Sequence, residues 1–237
     1  MSSNADVQLI NPVFSMTGMR GKLVTPWGEG TLEAPLLGEF NALNLLAVIS
    51  ALGVRGVSLG EILPLLKQIT PPVGRLQTFY YQASLVVVDY AHTPDALKQV
   101  LLTLKKITTD RLICVFGCGG NRDQQKRTIM GNIASKIADK VILTSDNPRD
   151  EDPVAIISDI NAGVEFGADI EIIVQRDQAI NQAFSVLKRG DILLIAGKGH
   201  EDYQEIRGQR YYFSDIDKIK NIMEKNNENL TTVSLCD

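Results

Sequence analysis

The chain has 237 residues, with 24 Lys and Arg against 28 Asp and Glu, a formal net charge of −4. That length supports one large domain or two small ones, and 44% hydrophobic with 22% charged residues is the composition of an ordinary globular protein. No apolar run approaches the roughly 18–20 residues that span a bilayer, no signal-peptide pattern is present, and no basic stripe is available to displace counterions, so neither a membrane nor nucleic acid is expected as a partner. Three cysteines, Cys114, Cys118 and Cys236, form an odd set without paired metal-ligand spacing, which predicts a reduced, cytoplasmic setting. The opening "MSSNA", residues 1–5, reads as a cloning scar rather than native sequence.

In chain order, "GKLVTP" and "GTLEAPLL" flank "WGEG", the pattern of a hairpin. Two helical stretches follow, "EFNALNLLAVISALG" and "SLGEILPLLKQI". In the first, Phe40, Leu43, Ala47 and Ala51 recur at helical spacing, with Gly53 as the expected stop. Ser58 is a good N-cap for the second, and Glu61 stands three residues on, at capping-box spacing. Pro71, Pro72 and Gly74 in "ITPPVGRLQTF" then break the pattern, so a boundary is expected between residues 1–73 and 74–237. The first segment begins abruptly in a strand-like region and reads as part of a larger domain.

Beyond the break, the apolar runs "SLVVVDYA", "RLICVFG", "KVILTS", "IEIIV" and "DILLIAG" alternate with helical stretches. Of these helices, the one in "DQQKRTIMGNIASKIA" carries Ile129, Ile133, Lys136 and Ile137 at helical spacing. The one in "DPVAIISDINAGV" has Asp152 as cap and Pro153 in its first turn. Strands apolar throughout and joined by helices predict an α/β domain with a Rossmann-like, mostly parallel sheet covered on both faces. "YQEIRGQRYYFSD" reads as a short hairpin, and a last helix is expected from about Asp215. Ligands of such sheets bind beyond the carboxyl ends of the strands. Four runs end there in polar loops: Asp89–His92, Gly117–Gly120, Asp146–Arg149 and Gly197–Glu201.

Each loop has a plain alternative. "GCGGNRD" is either a tight glycine turn or an anion cradle, and it lacks both G-x-G-x-x-G and G-x-x-x-x-G-K-[ST] spacing. Arg122, Lys126 and Arg127 form the one local basic cluster, read as an anion site. "AGKGHED" could be only a glycine-rich strand exit with exposed charges. His92 and His200 have no partners at zinc-ligand spacing, and no metal site is expected in the chain. Cys118 reads as filler, without a base to activate it. Asp89 could merely cap the helix that starts near Thr93. Arg149, behind the proline-locked corner of Asn147 and Pro148, either pairs with Asp150, Glu151 or Asp152, or is held for a carboxylate from outside.

Taken together, "DYAHTPDAL", "FGCGGNRDQQKR", "SDNPRDEDP" and "AGKGHEDYQ" resemble, in this order, the carboxy-terminal domain of the Mur ligases. They are most similar to the branch of that family that adds meso-diaminopimelate to UDP-N-acetylmuramoyl-L-alanyl-D-glutamate in peptidoglycan synthesis. "GEFNALNLLAVIS" and "VGRLQTF" resemble the end of the family's central ATP-binding domain and its hinge. The family's phosphate-binding glycine loop, metal ligands and UDP-binding first domain have no counterpart, so the resemblance implies a fragment, inactive alone. It implies that Arg149 and Asn147 grip the distal carboxylate of diaminopimelate, that Asp146 and Pro148 of the same motif belong to the substrate-binding set, that Arg122 adds a second cation, and that Glu201 and the backbone at Gly197 receive the distal ammonium. In relatives that add lysine, the arginine of this motif is typically replaced. It places Asn41, Asn44, Arg75, Asp89 and His92 near ATP, with Mg2+ bridging phosphates and bound mainly outside this chain. A monomer is expected, and no residue here is expected to act as a general base. Two other readings stay open: a folylpolyglutamate- or cyanophycin-type amide ligase or a dinucleotide enzyme, and a non-catalytic nucleotide- or amino-acid-binding module.

Overall fold

A computed structural model of the chain describes residues 5–233, with side chains described to residue 226. Cys236 and most of the expected scar lie outside the described residues. The chain divides into two compact units, residues 1–71 and 72–237.

In the first unit, β1 (Gln8–Ser15), β2 (Gly18–Thr25) and β3 (Gly28–Ala34) form an antiparallel sheet in that order, followed by α1 (Glu39–Val54) and α2 (Leu59–Leu66). The expected hairpin is β2–β3; β1, whose pairing is interrupted by an irregularity between Ile10 and Val13, has no alternation strong enough to read. Leu23 and Leu32 of the hairpin are fully buried with Ala42, Leu45, Leu46 and Ile49 of α1 and Ile62 of α2.

The buried face of α1 is therefore not the one that the sequence suggested. Phe40, Leu43, Ala47 and Ala51 point outward, because α1 is apolar around most of its circumference and periodicity alone cannot choose a side. Gly53 does not end the helix either. It lies inside α1, where a Cβ would come within 2.4 Å of the Trp27 ring, and the left-handed residue past the end is Gly56 (φ 85°). At α2, the Ser58–Glu61 capping box forms as expected.

The second unit is a six-stranded sheet in the order β4-β5-β9-β6-β7-β8, built from β4 (Gln77–Tyr81), β5 (Ser84–Asp89), β6 (Leu112–Phe116), β7 (Lys140–Leu143), β8 (Ile170–Ile172) and β9 (Ile192–Ala196). Every pair is parallel except β4–β5, so the sheet is mostly parallel as expected. The helices α3 (Pro94–Ile107), α4 (Gln125–Ile137), α5 (Pro153–Asn161), α6 (Arg176–Val186) and α7 (Asp215–Val233) follow the strands. An antiparallel hairpin of β10 (Tyr203–Ile206) and β11 (Gln209–Tyr212) precedes α7. β5, β6 and β9 are buried at every position, which is why they read as unbroken apolar runs.

Two details of the helices differ from expectation. α4 turns Arg127, Met130, Gly131 and Ala134 inward, while Ile129 is half exposed; small residues form the buried stripe because α5 packs closely, a Cβ at Gly131 falling 2.0 Å from the Ile160 carbonyl. α3 is capped by Thr93, whose hydroxyl accepts from the Ala96 amide, and not by Asp89. For α5, Asp152 and Pro153 take their expected cap and first-turn places.

β9, last of the central strands in sequence, inserts between β5 and β6. This crossover sets the loops after β5, β9, β6 and β7 side by side at one edge. Behind them Arg176, at the start of α6, is fully buried and forms a two-pronged ion pair with Asp215 at the start of α7 (Nε–Oδ1 2.8 Å, Nη2–Oδ2 2.7 Å), and Nη2 also donates to the carbonyl of Ala196. Removing one partner of a buried pair strands the other charge, at a cost of about 3–5 kcal/mol. Asp215→Ala is expected to lose about that much stability in denaturant unfolding followed by circular dichroism, against about 0–1 kcal/mol for breaking the exposed Lys22–Glu29 pair of the first unit.

Candidate functional site

The four loops enclose a cleft of about 70 Å³, lined among others by Arg122, Asp146, Asn147, Arg149, Gly197 and Glu201. The structure thus brings together the candidate amino-acid-binding residues; Pro148 follows Asn147 in the same corner.

Arg149 pairs with none of the three acids that follow it. Glu151 binds Arg127, Asp150 accepts from the Asn121 side chain, and Asp152 caps α5. Instead, Arg149 Nε meets Glu205 Oε2 on β10 at 3.2 Å, and Nη1 donates to the Gly120 carbonyl at 2.8 Å. Its backbone joins the hairpin as well, its amide donating to the Glu205 carbonyl and its carbonyl accepting from the Arg207 amide. Arg149 has φ 51°, left-handed for a bulky residue, a conformation that costs on the order of 1–3 kcal/mol unless its surroundings enforce it. Two hairpin hydrogen bonds and the Pro148 corner enforce it here, and the guanidinium stands over the cleft.

Asn147 is almost wholly buried, and both the oxygen and the nitrogen of its side-chain amide are hydrogen-bonded. Nδ2 donates to Glu201 Oε2 at 2.9 Å, while Oδ1 accepts from the Glu205 amide at 3.0 Å and from Lys198 Nζ at 3.2 Å. Asn147 also lines the cleft, with one of its two Nδ2 hydrogens used in these bonds. Asp146, also buried, accepts from the backbone N–H of Asn147 through Oδ1, and its carbonyl accepts from Gln204 Nε2 at 2.6 Å. Gly197 (φ 114°) passes so close that a Cβ would stand 2.7 Å from Asp146 Oδ2. Glu201 Oε1 is approached by the Tyr90 hydroxyl at 3.4 Å.

Two glycines of "GCGGNRD" have a packing role that the sequence did not show. A Cβ on Gly117 would meet the Thr144 carbonyl at 2.1 Å and one on Gly120 the Pro148 carbonyl at 2.0 Å, so they let the β6 and β7 loops pack backbone to backbone. The basic cluster also divides. Arg127 is buried and committed to Glu151 and Asp159, and so is no anion site; Lys126 donates to the His92 carbonyl at 2.9 Å, and Arg122 is exposed at the cleft. Cys118 is buried filler as expected, burial pushing its thiol up to about 12.

Of the candidate nucleotide residues, Asn41 and Asn44 lie on α1 of the first unit, Asn41 donating to the Leu37 carbonyl. In the second unit, the Arg75 guanidinium lies 4.8 Å above the Tyr90 ring, and that ring packs on His92 (4.6 Å) and His200 (5.2 Å). Asp89 is buried, Oδ2 accepting from the Leu76 amide and Oδ1 from the Ala91 amide, both at 2.8 Å. Burial pushes its carboxyl up, against the two amides and the Arg75 guanidinium, which favour the anion. Tyr90, Lys198, Gln204 and Glu205 were given no role by motif reading, although Tyr90, Lys198 and Gln204 lie within the quoted motifs.

Fold and cleft define a class: a doubly wound α/β domain whose loops present cations (Arg122, Arg149) and carboxylates (Asp146, Glu201) to one small cleft. The chain belongs to the Mur ligase family, whose glutamate ligase domain model matches residues 74–199. It is 49% identical over 208 residues to the UDP-N-acetylmuramoyl-L-alanyl-D-glutamate–2,6-diaminopimelate ligase of Pseudomonas aeruginosa, an alignment covering 87% of this chain and 43% of that protein. It is 44% identical over 222 residues to the ligase of the same name from Prochlorococcus marinus (strain NATL1A), covering 91% and 44%. A solved structure of a ligase of this name is similar with a TM-score of 0.78 at 41% identity, over 96% of this chain and 47% of that one. The chain spans less than half the length of these relatives.

The two amides on Asp89 make its structural role testable. In Asp89→Asn, one amide hydrogen faces an NH2 group instead of an oxygen, and a buried donor left without an acceptor costs about 1–3 kcal/mol. That loss is expected in urea unfolding at neutral pH, whatever ligand the site holds.

Proposed function

We propose that this chain carries the amino-acid-binding part of an ATP-dependent ligase that joins meso-diaminopimelate to UDP-N-acetylmuramoyl-L-alanyl-D-glutamate in the cytoplasm, acting as a monomer. The single observation that carries the reading is the paired charge of the cleft. One end of meso-diaminopimelate is an ammonium and a carboxylate on the same carbon, and such an end needs an acceptor and a cation side by side. Asp146 and Glu201 supply acceptors, and Arg122 and Arg149 supply cations. The names borne by the relatives at 44–49% identity point to the same amino acid.

In the proposed reaction, ATP phosphorylates the side-chain carboxylate of the D-glutamate, releasing ADP. The free amine of diaminopimelate attacks the acyl phosphate, the new C–N bond expels phosphate, and the amine gives up a proton. This chain's share is positioning: binding the far end of the amino acid fixes where its near amine points. Arg75 and His92, beside Tyr90, are the proposed contacts of the nucleotide in the second unit; Asn41 and Asn44 are the candidates that the resemblance names in the first. Asp89 would add ribose contacts through the lone pairs that its two amides leave. Among the described residues no three His, Cys, Asp or Glu side chains converge as a metal site. Magnesium would be held mainly by residues outside this chain, and no step is assigned to the ion. No helix of the described residues is long and apolar enough to cross a membrane.

The 237 residues contain no G-x-x-x-x-G-K-[ST] phosphate loop. Incubated with UDP-muramoyl dipeptide, ATP and diaminopimelate, this chain alone is expected to form no product; clear ligation would overturn that division of labour.

In the longer enzyme, Arg149→Ala is expected to lower kcat/KM for diaminopimelate by roughly 30-fold to several thousand-fold, the ~2–5 kcal/mol of a truncated buried charge pair. Lysine, which brings no distal carboxylate, should be used nearly as before. Arg149→Lys should also fail on diaminopimelate, since an ammonium cannot reproduce the planar fork. Steady-state kinetics with both amino acids decides; equal losses on the two would refute the recognition role.

A further inference from the structure

Lys198 is a lysine with no solvent exposure, in the loop after β9, and the reaction just proposed gives it no task. Burying an ammonium is expensive, and an apolar side chain would fill the space at lower cost. Every partner that compensates this charge belongs to the cleft's frame. Nζ lies 3.2 Å from Asn147 Oδ1 and 3.5 Å from Glu201 Oε2, and 5.5 Å from the centre of the Tyr203 ring.

These contacts settle the orientation of Asn147. Its oxygen faces two donors, the Lys198 ammonium and the Glu205 amide, and its nitrogen faces the Glu201 carboxylate. Turned over, the NH2 group would confront an ammonium and an N–H, and the oxygen would confront a carboxylate. Lys198 therefore holds Glu201 twice, by its own charge and through the amide that it orients. Both holds act on Oε2. Among the described residues Oε1 is approached only by the Tyr90 hydroxyl, at 3.4 Å, and remains the acceptor for a cation in the cleft.

We propose that Lys198 is a positioning residue that, through Asn147, sets the Glu201 carboxylate to receive the distal ammonium of the amino-acid substrate. This rests on the amino-acid reading of the cleft and adds the specificity device behind it. The role differs from that of Arg149, which addresses the carboxylate of the same end group. Loss of Lys198 thus weakens recognition of the amine and leaves recognition of the carboxylate in place.

Titration calorimetry of this chain with meso-diaminopimelate and with 2-aminopimelate, the same skeleton without the second amine, separates the two. The native chain is expected to prefer meso-diaminopimelate. Lys198→Met, of similar length and uncharged, is expected to bind it about tenfold more weakly, with little change for 2-aminopimelate, so that the affinity ratio falls toward one. A folded variant with an unchanged ratio overturns the role of Lys198 while leaving the substrate reading intact. A native chain that binds neither compound overturns both. Should the variant not fold, nuclear magnetic resonance of the native chain decides. The Lys198 ammonium and the Asn147 side-chain amide should show mutual contacts and shift on saturation with meso-diaminopimelate but not with 2-aminopimelate; equal shifts with both overturn the proposal.

Discussion

The side-chain amide of Asn147 ties the site together. The loop after β7, the loop after β9 and the first strand of the hairpin are separate pieces of chain, and this one group hydrogen-bonds to both of the others: Glu201 and Lys198 on one, the Glu205 amide on the second. A buried amide in a largely apolar interior must have its donors and acceptors met, and each unmet group costs about 1–3 kcal/mol. The three segments are therefore committed to one arrangement. The position and charge environment of Arg149 and Glu201 follow from that commitment.

Arg149 shows how the arrangement is held under load. Its left-handed backbone is unfavourable in isolation, and Pro148 before it restricts only part of the corner. The remaining restraint comes from β10, through two backbone hydrogen bonds and the Glu205 carboxylate. β11 is exposed and β10 mostly half-buried, and among the described residues their strand pairing is with each other and, through the bridge between Ile206 and Arg149, with this corner.

Much of this was legible in the sequence. Unbroken apolar strands alternating with helices could only mean a parallel sheet, and four polar loops at strand exits marked the edge that matters. Periodicity failed where a helix is apolar on several sides, as at α1, or where close helix packing makes glycine and alanine the buried stripe, as at α4. Motif reading found the charged residues and missed what holds them. Glu205 and Gln204 sit in an ordinary hairpin, and only the insertion of β9 between β5 and β6 brings that hairpin to Asn147. Arg127 shows the converse error. As sequence it is one of three neighbouring cations, and only its burial between Glu151 and Asp159 removes it from the site.

The charges of the cleft are consequently of two kinds, and the distinction bears on specificity. Lys198, Arg127 and Arg176 are buried and ion-paired inside the protein, and they fix geometry. Arg122, Arg149 and Glu201 keep part of their hydrogen-bonding capacity turned toward the cleft. A ligand entering there meets groups that already point where they are needed, and little of its binding energy goes to ordering them. A preformed arrangement also discriminates by omission. A ligand that lacks one of the matching charges leaves a partly buried Arg149 or Glu201 facing nothing, and that unpaired group weighs against it more than the lost contact alone.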